Sequence, residues 1–569
     1  MARARWVAAP VPAEAASLAA IGIEPRLAAL LSRRGVRNAA EARSFLAPDL
    51  SDLEPPEALP GLPEAVARLR RAVLEGERVA IVGDYDADGV TATAILVAAL
   101  GSLGGVAAPI LPHRLHEGYG FQPLHAERAR ALGCGLVLTV DCGLGSAEAV
   151  ATARGLGLDV IVADHHLPSA SPPAEALLVA PCTGGPETPG RELTGAGLAF
   201  KIAEGLTAAC GREIPREALL RVACIGTIAD VAPLVGENRR IAALGLRALG
   251  AARSPGLRAL LESTGVRPPL QAEDVAFRLA PRLNAAGRLA SAEPALELLL
   301  SRDPVRAAEL AAELERLNQE RQRHERRVLE EATAAVGGKE DTEGPLLVLW
   351  GRGWHPGVVG IAAGRLAREL TRPVILLAAD GDAATGSGRS VPGIDLHGFL
   401  LPWQGELRRF GGHAQAVGLT AGLEDLPRLR REWNTTAARW PSDLLRPRLA
   451  YELALAPEEV SDDFLAALGR LAPHGNGNPE PLLRIGPLNP TAPPRLFGKR
   501  HHLLRARGPG GGAELGLVAW GGAPEEVLGG GSFEVLATAR ARPFFGPREL
   551  VLADARRMQK GGHDVESAP

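Results

Sequence analysis

Asp84, Asp86 and Asp88 stand at alternate positions in Val82-Gly83-Asp84-Tyr85-Asp86-Ala87-Asp88-Gly89, directly after the apolar run at 79–82. Alternate residues of an extended chain share one side, so the three carboxylates are expected to face a common point until the turn at Gly89 redirects the backbone. Three bare anions so placed repel one another. A divalent cation such as Mg²⁺ or Mn²⁺ removes that repulsion, and hard oxygen donors are what these ions take. The same D-x-D-x-D-G spacing opens a calcium loop of the EF-hand kind, which needs a glutamate about six residues after its glycine. Ile95 stands there instead. A solvated acidic turn is the remaining reading of the triplet taken alone.

Three more points in the chain put a donor after an apolar run. Asp141 follows 136–140, Asp164-His165-His166 follows 160–163, and Asp230 closes 222–229. Singly each has an ordinary explanation, because aspartate caps helices and a histidine near a strand end is usually a hydrogen-bonded structural residue. Jointly they are expected at one sheet edge, since parallel strands deliver their carboxyl ends to the same side.

The elements that must position these residues come from a chain of 569 residues, 46% hydrophobic and 23% charged, with material for three or four domains. Its formal net charge of -3 means that any nucleic-acid binding must rest on a local basic surface. The five cysteines, Cys134, Cys142, Cys182, Cys210 and Cys224, form no C-x-x-C pair, which argues for a reducing compartment without a zinc ribbon. Pro10, Pro12 and Glu14 interrupt any signal-peptide core, and no later segment offers an uninterrupted membrane span, so the cytoplasm is the expected location.

Residues 1–60 read as an N-terminal arm ending in the proline-rich stretch 54–60. From 61 to 302 apolar strands alternate with Ala/Leu-rich helices, the pattern of a doubly wound parallel α/β domain. Asp303-Pro304 is an N-cap with proline at the first helical position, and it opens a polar helix over 303–335. Leu310, Leu314, Leu317 and Val328 give that helix a narrow apolar stripe, suited to bridging two domains. A second α/β unit is expected over 336–444, a small β-barrel broken by Gly and Pro over 445–556, and a disordered tail over 557–569.

The blocks G-D-Y-D-A-D-G-V-T at 83–91, V-D-C-G at 140–143, A-D-H-H at 163–166 and G-T-I-A-D-V-A-P-L at 226–234 resemble the four motifs of the DHH phosphoesterase family. Their wording is closest to its RecJ-type single-strand-specific exonucleases. P-H-R-L-H-E-G-Y-G at 112–120, A-P-R-L-N-A-A-G-R-L at 280–289, S-G-R-S at 387–390, G-G-H-A-Q-A-V-G at 411–418 and H-G-N-G-N-P-E-P at 474–481 point the same way. The resemblance runs from about residue 30 to 556. This chain has V-A-P at 179–181 where the family usually has V-N-P, and Val417 where it usually has alanine.

The resemblance implies a DHH catalytic domain, a connecting helix, a DHH-associated α/β domain and a C-terminal OB-fold. It implies a two-metal phosphodiesterase using Mn²⁺ or Mg²⁺ that cuts single-stranded DNA from the 5′ end into 5′-mononucleotides in recombination and repair. Asp141 would bridge the ions, Asp86 would hold one, and Asp88, His165 and Asp230 the other. Asp84 is either a ligand of the first or an acceptor behind it. His166 and His413 would serve the chemistry at the scissile group. Arg114, Arg282, Arg288, Asn284, Ser387, Gly388 and Arg389 would grip phosphates, with Arg114 and Arg282 on a terminal 5′ phosphate, and Tyr119 would stack on a base. A helicase and a single-strand-binding protein are the partners to expect, and the protein a monomer. A phosphodiesterase of short oligoribonucleotides or cyclic dinucleotides, or a catalytically silent scaffold, would share the DHH motifs.

Overall fold

The computed structural model describes residues 4–114, 116–167, 172–212, 214–336, 344–539, 546 and 548–558. Residues 559–569, and with them nearly all of the expected tail, lie outside the described residues. The chain divides into two compact units. One comprises Pro55–Asp230 and Gly245–Pro447; the other comprises Ala4–Glu54, Val231–Leu244 and the chain from Arg448.

In the first unit, helix Leu62–Glu75 leads into an all-parallel five-stranded sheet. Its strands, in spatial order, are Val106–Ile110, Arg78–Gly83, Leu136–Val140, Asp159–Ala163 and Leu177–Val179. Counted along the chain this is the order 2-1-3-4-5, which reverses between Arg78–Gly83 and Leu136–Val140 and opens a crevice there. Register does the rest. Gly83 pairs with Val140 and Val140 with Ala163, so Asp84, Asp141 and Asp164 are each the first residue past an aligned strand end.

Two local expectations change. Strand Arg78–Gly83 stops before the acidic triplet: Asp86 is the N-cap of helix Ala87–Ser102 and Asp88 lies in its first turn. The triplet therefore converges through a strand-to-helix turn rather than along extended chain. The run 222–229, read as a strand, belongs to helix Arg216–Ala229, whose C-cap is Asp230. A continuous apolar run does not separate a buried strand from a buried helix, and this helix is buried on nearly every side.

Helix Pro304–Val336 starts where Asp303 accepts the Val305 N–H at 2.9 Å and runs 33 residues, about 50 Å. Leu310, Leu314 and Leu317 bury its first half; Val328 and Ala332 enter the core of the following α/β layer. That layer is a five-stranded sheet in the order Arg409–His413, Ala416–Gly422, Ala383–Arg389, Val374–Asp380 and Leu347–Arg352, parallel only between the last two. Helices Pro356–Leu370 and Leu426–Ala437 cover it through separate cores.

The second unit is a barrel of strands Leu483–Pro490, Phe533–Ala539, Glu549–Arg557, Gly511–Ala519 and His501–Gly508, closed where Asn489 pairs with Arg507. The expected arm is part of it. Strand Arg5–Ala8 pairs in parallel with Arg448–Tyr451, and Leu18, Leu27, Leu30 and Leu31 share one core with Leu483, Ile485, Leu517 and Val535. Helix Pro25–Arg33 has one apolar face, and burying that face against the barrel is what turns an arm into a packed segment.

Candidate metal centre

The aligned strand ends and two helix ends gather donors that the sequence scatters over 147 residues, from Asp84 to Asp230. Asp84, Asp86 and Asp141 place carboxylate oxygens within 4.8 Å of one another; Asp88, His165 and Asp230 form a second such group; Asp141, His165 and His166 form a third. His165 Nε2 lies 2.9 Å from Asp141 Oδ1 and 3.7 Å from Asp88 Oδ2, linking the groups. Asp141 itself has φ +62°, a left-handed conformation that aspartate tolerates at a modest cost and that turns the chain straight after the strand.

Two glycines let backbone close on this centre. A Cβ on Gly195 would lie 2.5 Å from Asp141 Cβ, and one on Gly226 would lie 2.6 Å from Asp88 Oδ1. With Gly195 bare, the N-terminus of helix Gly195–Ala209 donates to Asp88: the Gly195 N–H to Oδ2 at 2.7 Å and the Ala196 N–H to Oδ1 at 2.9 Å. These residues were missed from the sequence. The signal was present in Thr194-Gly195-Ala196-Gly197, a capping threonine before small residues.

Electrostatics mark the cluster as a cation site. Burial, then the neighbouring carboxylates, pushes Asp84 and Asp141 well above the usual carboxylate range. The same causes take Asp88 to about 7 and Asp230 to about 8. Asp84 Oδ1 is buried without a hydrogen-bond partner. Anions that cannot all ionise, a carboxylate oxygen left unsatisfied and a single imidazole make a donor set that fits Mn²⁺ or Mg²⁺.

His165 and His166 differ. Burial and the neighbouring His166 take His165 down to about 4, a neutral ring fit to be a ligand. Burial opposes charge on His166 too, but the Asp164 carboxylate at 2.8 Å from Nδ1 overrides it and pushes the ring up to about 9. Asp164 is spent on positioning: it also accepts the N–H groups of Leu144, His165 and His166. Tyr119, 47% exposed, sets its hydroxyl 3.0 Å from His166 Nδ1. Its hydroxyl thus has a place in the centre, beyond the stacking expected of its ring.

The phosphate-gripping candidates separate into groups. Arg288 is pushed down to about 10 by burial and by Arg114, Arg321 and Arg389, with Asp86 opposing; burial and Arg114 likewise lower Arg389. Arg114 lies over the Tyr85 ring at 4.9 Å. These guanidinium groups form a concentration of positive charge, with Arg114 set over the residue between Asp84 and Asp86. Arg282, in contrast, is ion-paired with Glu315 at 2.6 Å. Asn284 Oδ1 accepts the Ala87 N–H at 2.9 Å and so holds the first turn of the acidic helix. Ser387 and Arg389 flank Gly360, whereas a Cβ on Gly388 would strike Val417 and Leu396, which makes Gly388 a packing requirement. His413 is exposed on its hairpin, accepts from the Gln415 N–H, and belongs to none of the three donor groups.

On the barrel, the Trp520 ring, 45% exposed, stands 4.9 Å from His501 and 5.6 Å from Phe497. Of the basic run at 500–507 read from the sequence, Arg505 is paired with Glu514 at 2.6 Å.

Three family models match in chain order: the DHH family N-terminal domain over residues 78–227, the DHHA1 domain over 343–438 and the RecJ OB domain over 451–556. The parallel sheet with its crevice and the α/β layer that follows it are those of a DHH-family protein. The chain is 39% identical over 468 residues to the single-stranded-DNA-specific exonuclease RecJ of Bacillus subtilis, covering 81% of this chain and 59% of that one. To RecJ of Escherichia coli it is 36% identical, covering 88% and 89%. The crystal structure of Thermus thermophilus RecJ in complex with Mn²⁺ superposes with a TM-score of 0.82 at 34% identity, over 98% of this chain and 80% of that one. The chain belongs to the RecJ family. It spans 59% of the length of the Bacillus relative and 73% of the Thermus one. Among the described residues, no helix is long and apolar enough to cross a membrane.

Proposed function

We propose that the chain is a metal-dependent exonuclease that releases 5′-mononucleotides from single-stranded DNA in the 5′-to-3′ direction, in cytoplasmic recombination and repair. The observation that carries this reading is the Arg114 guanidinium lying 4.9 Å over the ring of Tyr85, the residue between Asp84 and Asp86: a group of carboxylates that demands cations adjoins an arginine that demands anions. A phosphodiester satisfies both at once.

Asp141 would be shared between two ions, with Asp84 and Asp86 completing one set of donors and Asp88, His165 and Asp230 the other. When bound, two such ions lower the pKa of a water and neutralise charge gathering on the phosphoryl oxygens. The remaining roles belong to the chain. Arg114, Arg288 and Arg389 hold the phosphates on the 5′ side. Asp164 and Tyr119 fix the His166 ring through Nδ1, which leaves Nε2 to donate to a non-bridging oxygen. Arg282 joins the phosphate contacts only on leaving Glu315, and the proposed chemistry does not draw on His413. The barrel holds the trailing strand by stacking on Trp520. A helicase and a single-strand-binding protein are the proposed partners of the monomer.

End-labelled single-stranded DNA, RNA and blunt duplex, each incubated with the protein and Mn²⁺, test this reading. Mononucleotide release from the 5′ end of single-stranded DNA alone is expected. Equal degradation of all three, or none, would defeat it.

A further inference from the structure

Val231, the residue after Asp230, has φ +61°. Helix Arg216–Ala229 ends with Asp230 as its C-cap, so Val231 sits at the left-handed position that glycine normally fills. A β-branched side chain is a poor occupant of that conformation, and it persists only where surrounding structure holds it. Here the holding group is Asn476, in the turn His474-Gly475-Asn476-Gly477. Asn476 Nδ2 donates to the Val231 carbonyl at 2.9 Å, and the Asn476 carbonyl accepts the Leu234 N–H at 2.7 Å, so one residue clasps both ends of segment 231–234. The turn is shaped to that segment: a Cβ on Gly477, itself at φ +71°, would lie 3.1 Å from Pro233 Cβ, and one on Gly475 would lie 2.7 Å from Leu234 Cδ1. Asn238 Nδ2 adds a bond to the Pro233 carbonyl at 3.2 Å.

We propose that Asn476 is a positioning residue for the metal centre: by holding Val231 left-handed it ends the preceding helix at Asp230 and keeps that carboxylate turned toward Asp88 and His165. This rests on the reading of Asp230 as a metal ligand. The influence travels through the single peptide bond between Asp230 and Val231. Released, Val231 relaxes toward right-handed backbone, and the helix end carrying Asp230 loses its fixed direction.

Mn²⁺ titration of the full chain, followed by the electron paramagnetic resonance signal of free Mn²⁺, is the test, with circular dichroism melts confirming that each variant is folded. Asp230→Asn establishes the reading beneath: it is expected to weaken one of two Mn²⁺ affinities, and unchanged binding would overturn both that reading and the positioning role. Asn476→Ala is expected to weaken the same affinity by about fivefold, the effect of one hydrogen bond. Glycine takes the left-handed conformation without cost. In a Val231→Gly background, then, Asn476→Ala should change that affinity by less than about twofold. If Asp230→Asn acts and Asn476→Ala does not, the positioning role is wrong while the ligand reading stands. An Asn476→Ala loss undiminished by Val231→Gly would reduce Asn476 to general support of the barrel, and would also overturn the proposal.

Discussion

The Gly195 backbone N–H meets the Asp88 carboxylate at 2.7 Å, so the N-terminus of a helix more than a hundred residues along the chain closes the inner side of the metal centre. The helix dipole and two N–H groups favour the anionic form of Asp88, while burial and Asp86 oppose it. That balance leaves a carboxylate whose charge a cation completes.

Gly195→Ala should therefore strike metal binding before it strikes the fold. The new methyl group would overlap Asp141 Cβ at 2.5 Å, and relief requires the helix to withdraw from Asp88. Overpacking of this kind costs about 1–3 kcal/mol, or roughly 5- to 150-fold in Mn²⁺ affinity, measurable by calorimetric titration.

Asp141→Asn is expected to abolish turnover and, in chelator at pH 8, to raise the melting temperature. It removes one of several mutually repelling carboxylates. The metal-free gain should be about 0.5–2 kcal/mol, the usual return on relaxing an active-site compromise. A metal-free melt lower than that of the wild type would show that Asp141 serves packing.

Arg389→Ala should raise KM on 5′-phosphorylated single strands by about 10- to 150-fold, the value of a charge-assisted hydrogen bond, with a smaller effect on 5′-hydroxyl strands. Equal losses on both would place Arg389 on an internal phosphate.

Trp520→Ala should weaken single-strand binding by about 1–3 kcal/mol, the value of one stacked base, with kcat at saturating DNA unchanged. Fluorescence anisotropy with a labelled oligonucleotide reads the first, and mononucleotide release the second. Removing the barrel outright is a poorer experiment, because Leu18, Leu27 and Leu30 would lose the core they share with it.

His474 makes the barrel unit acid-sensitive. Burial, then Arg34 and Arg239, lowers its pKa to about 4, and its Nδ1 is buried without a hydrogen-bond partner. Below about pH 6.5, the ordinary value for histidine, the unfolded chain takes up a proton that the folded chain refuses. This group's contribution therefore falls as pH drops from about 6.5 to 4, by about 3 kcal/mol in all, and is absent above that range. His474→Gln should flatten the slope in urea melts taken across this window.

Much of the centre was legible in the chain. Asp84, Asp86, Asp88, Asp141, His165 and Asp230 are all in it, because each follows an apolar run or opens a capped turn, and such local signals survive in sequence. The reasons behind the placement were less legible. Asp230 arrives on a helix, since a run at 222–229 that is apolar apart from Gly226 and Thr227 leaves no period to read. The N-terminal segment looked like an arm because the residues that share its core, Leu483, Ile485, Leu517 and Val535 among them, lie more than four hundred positions along the chain. Arg114 and Arg282 were indistinguishable as guanidinium groups; Glu315, a neighbour only in space, sets Arg282 apart.

By itself, then, the sequence determined which carboxylates and imidazoles stand at the ends of apolar runs and the order of the layers that present them, since strand, turn and cap preferences act over a few residues. Tertiary structure alone decided which oxygens crowd together, how far burial lifts their pKa values, and which backbone N–H groups answer them. Those depend on sheet register and on the close approach permitted at Gly195 and Gly226, and both are set by contacts between residues far apart in the chain.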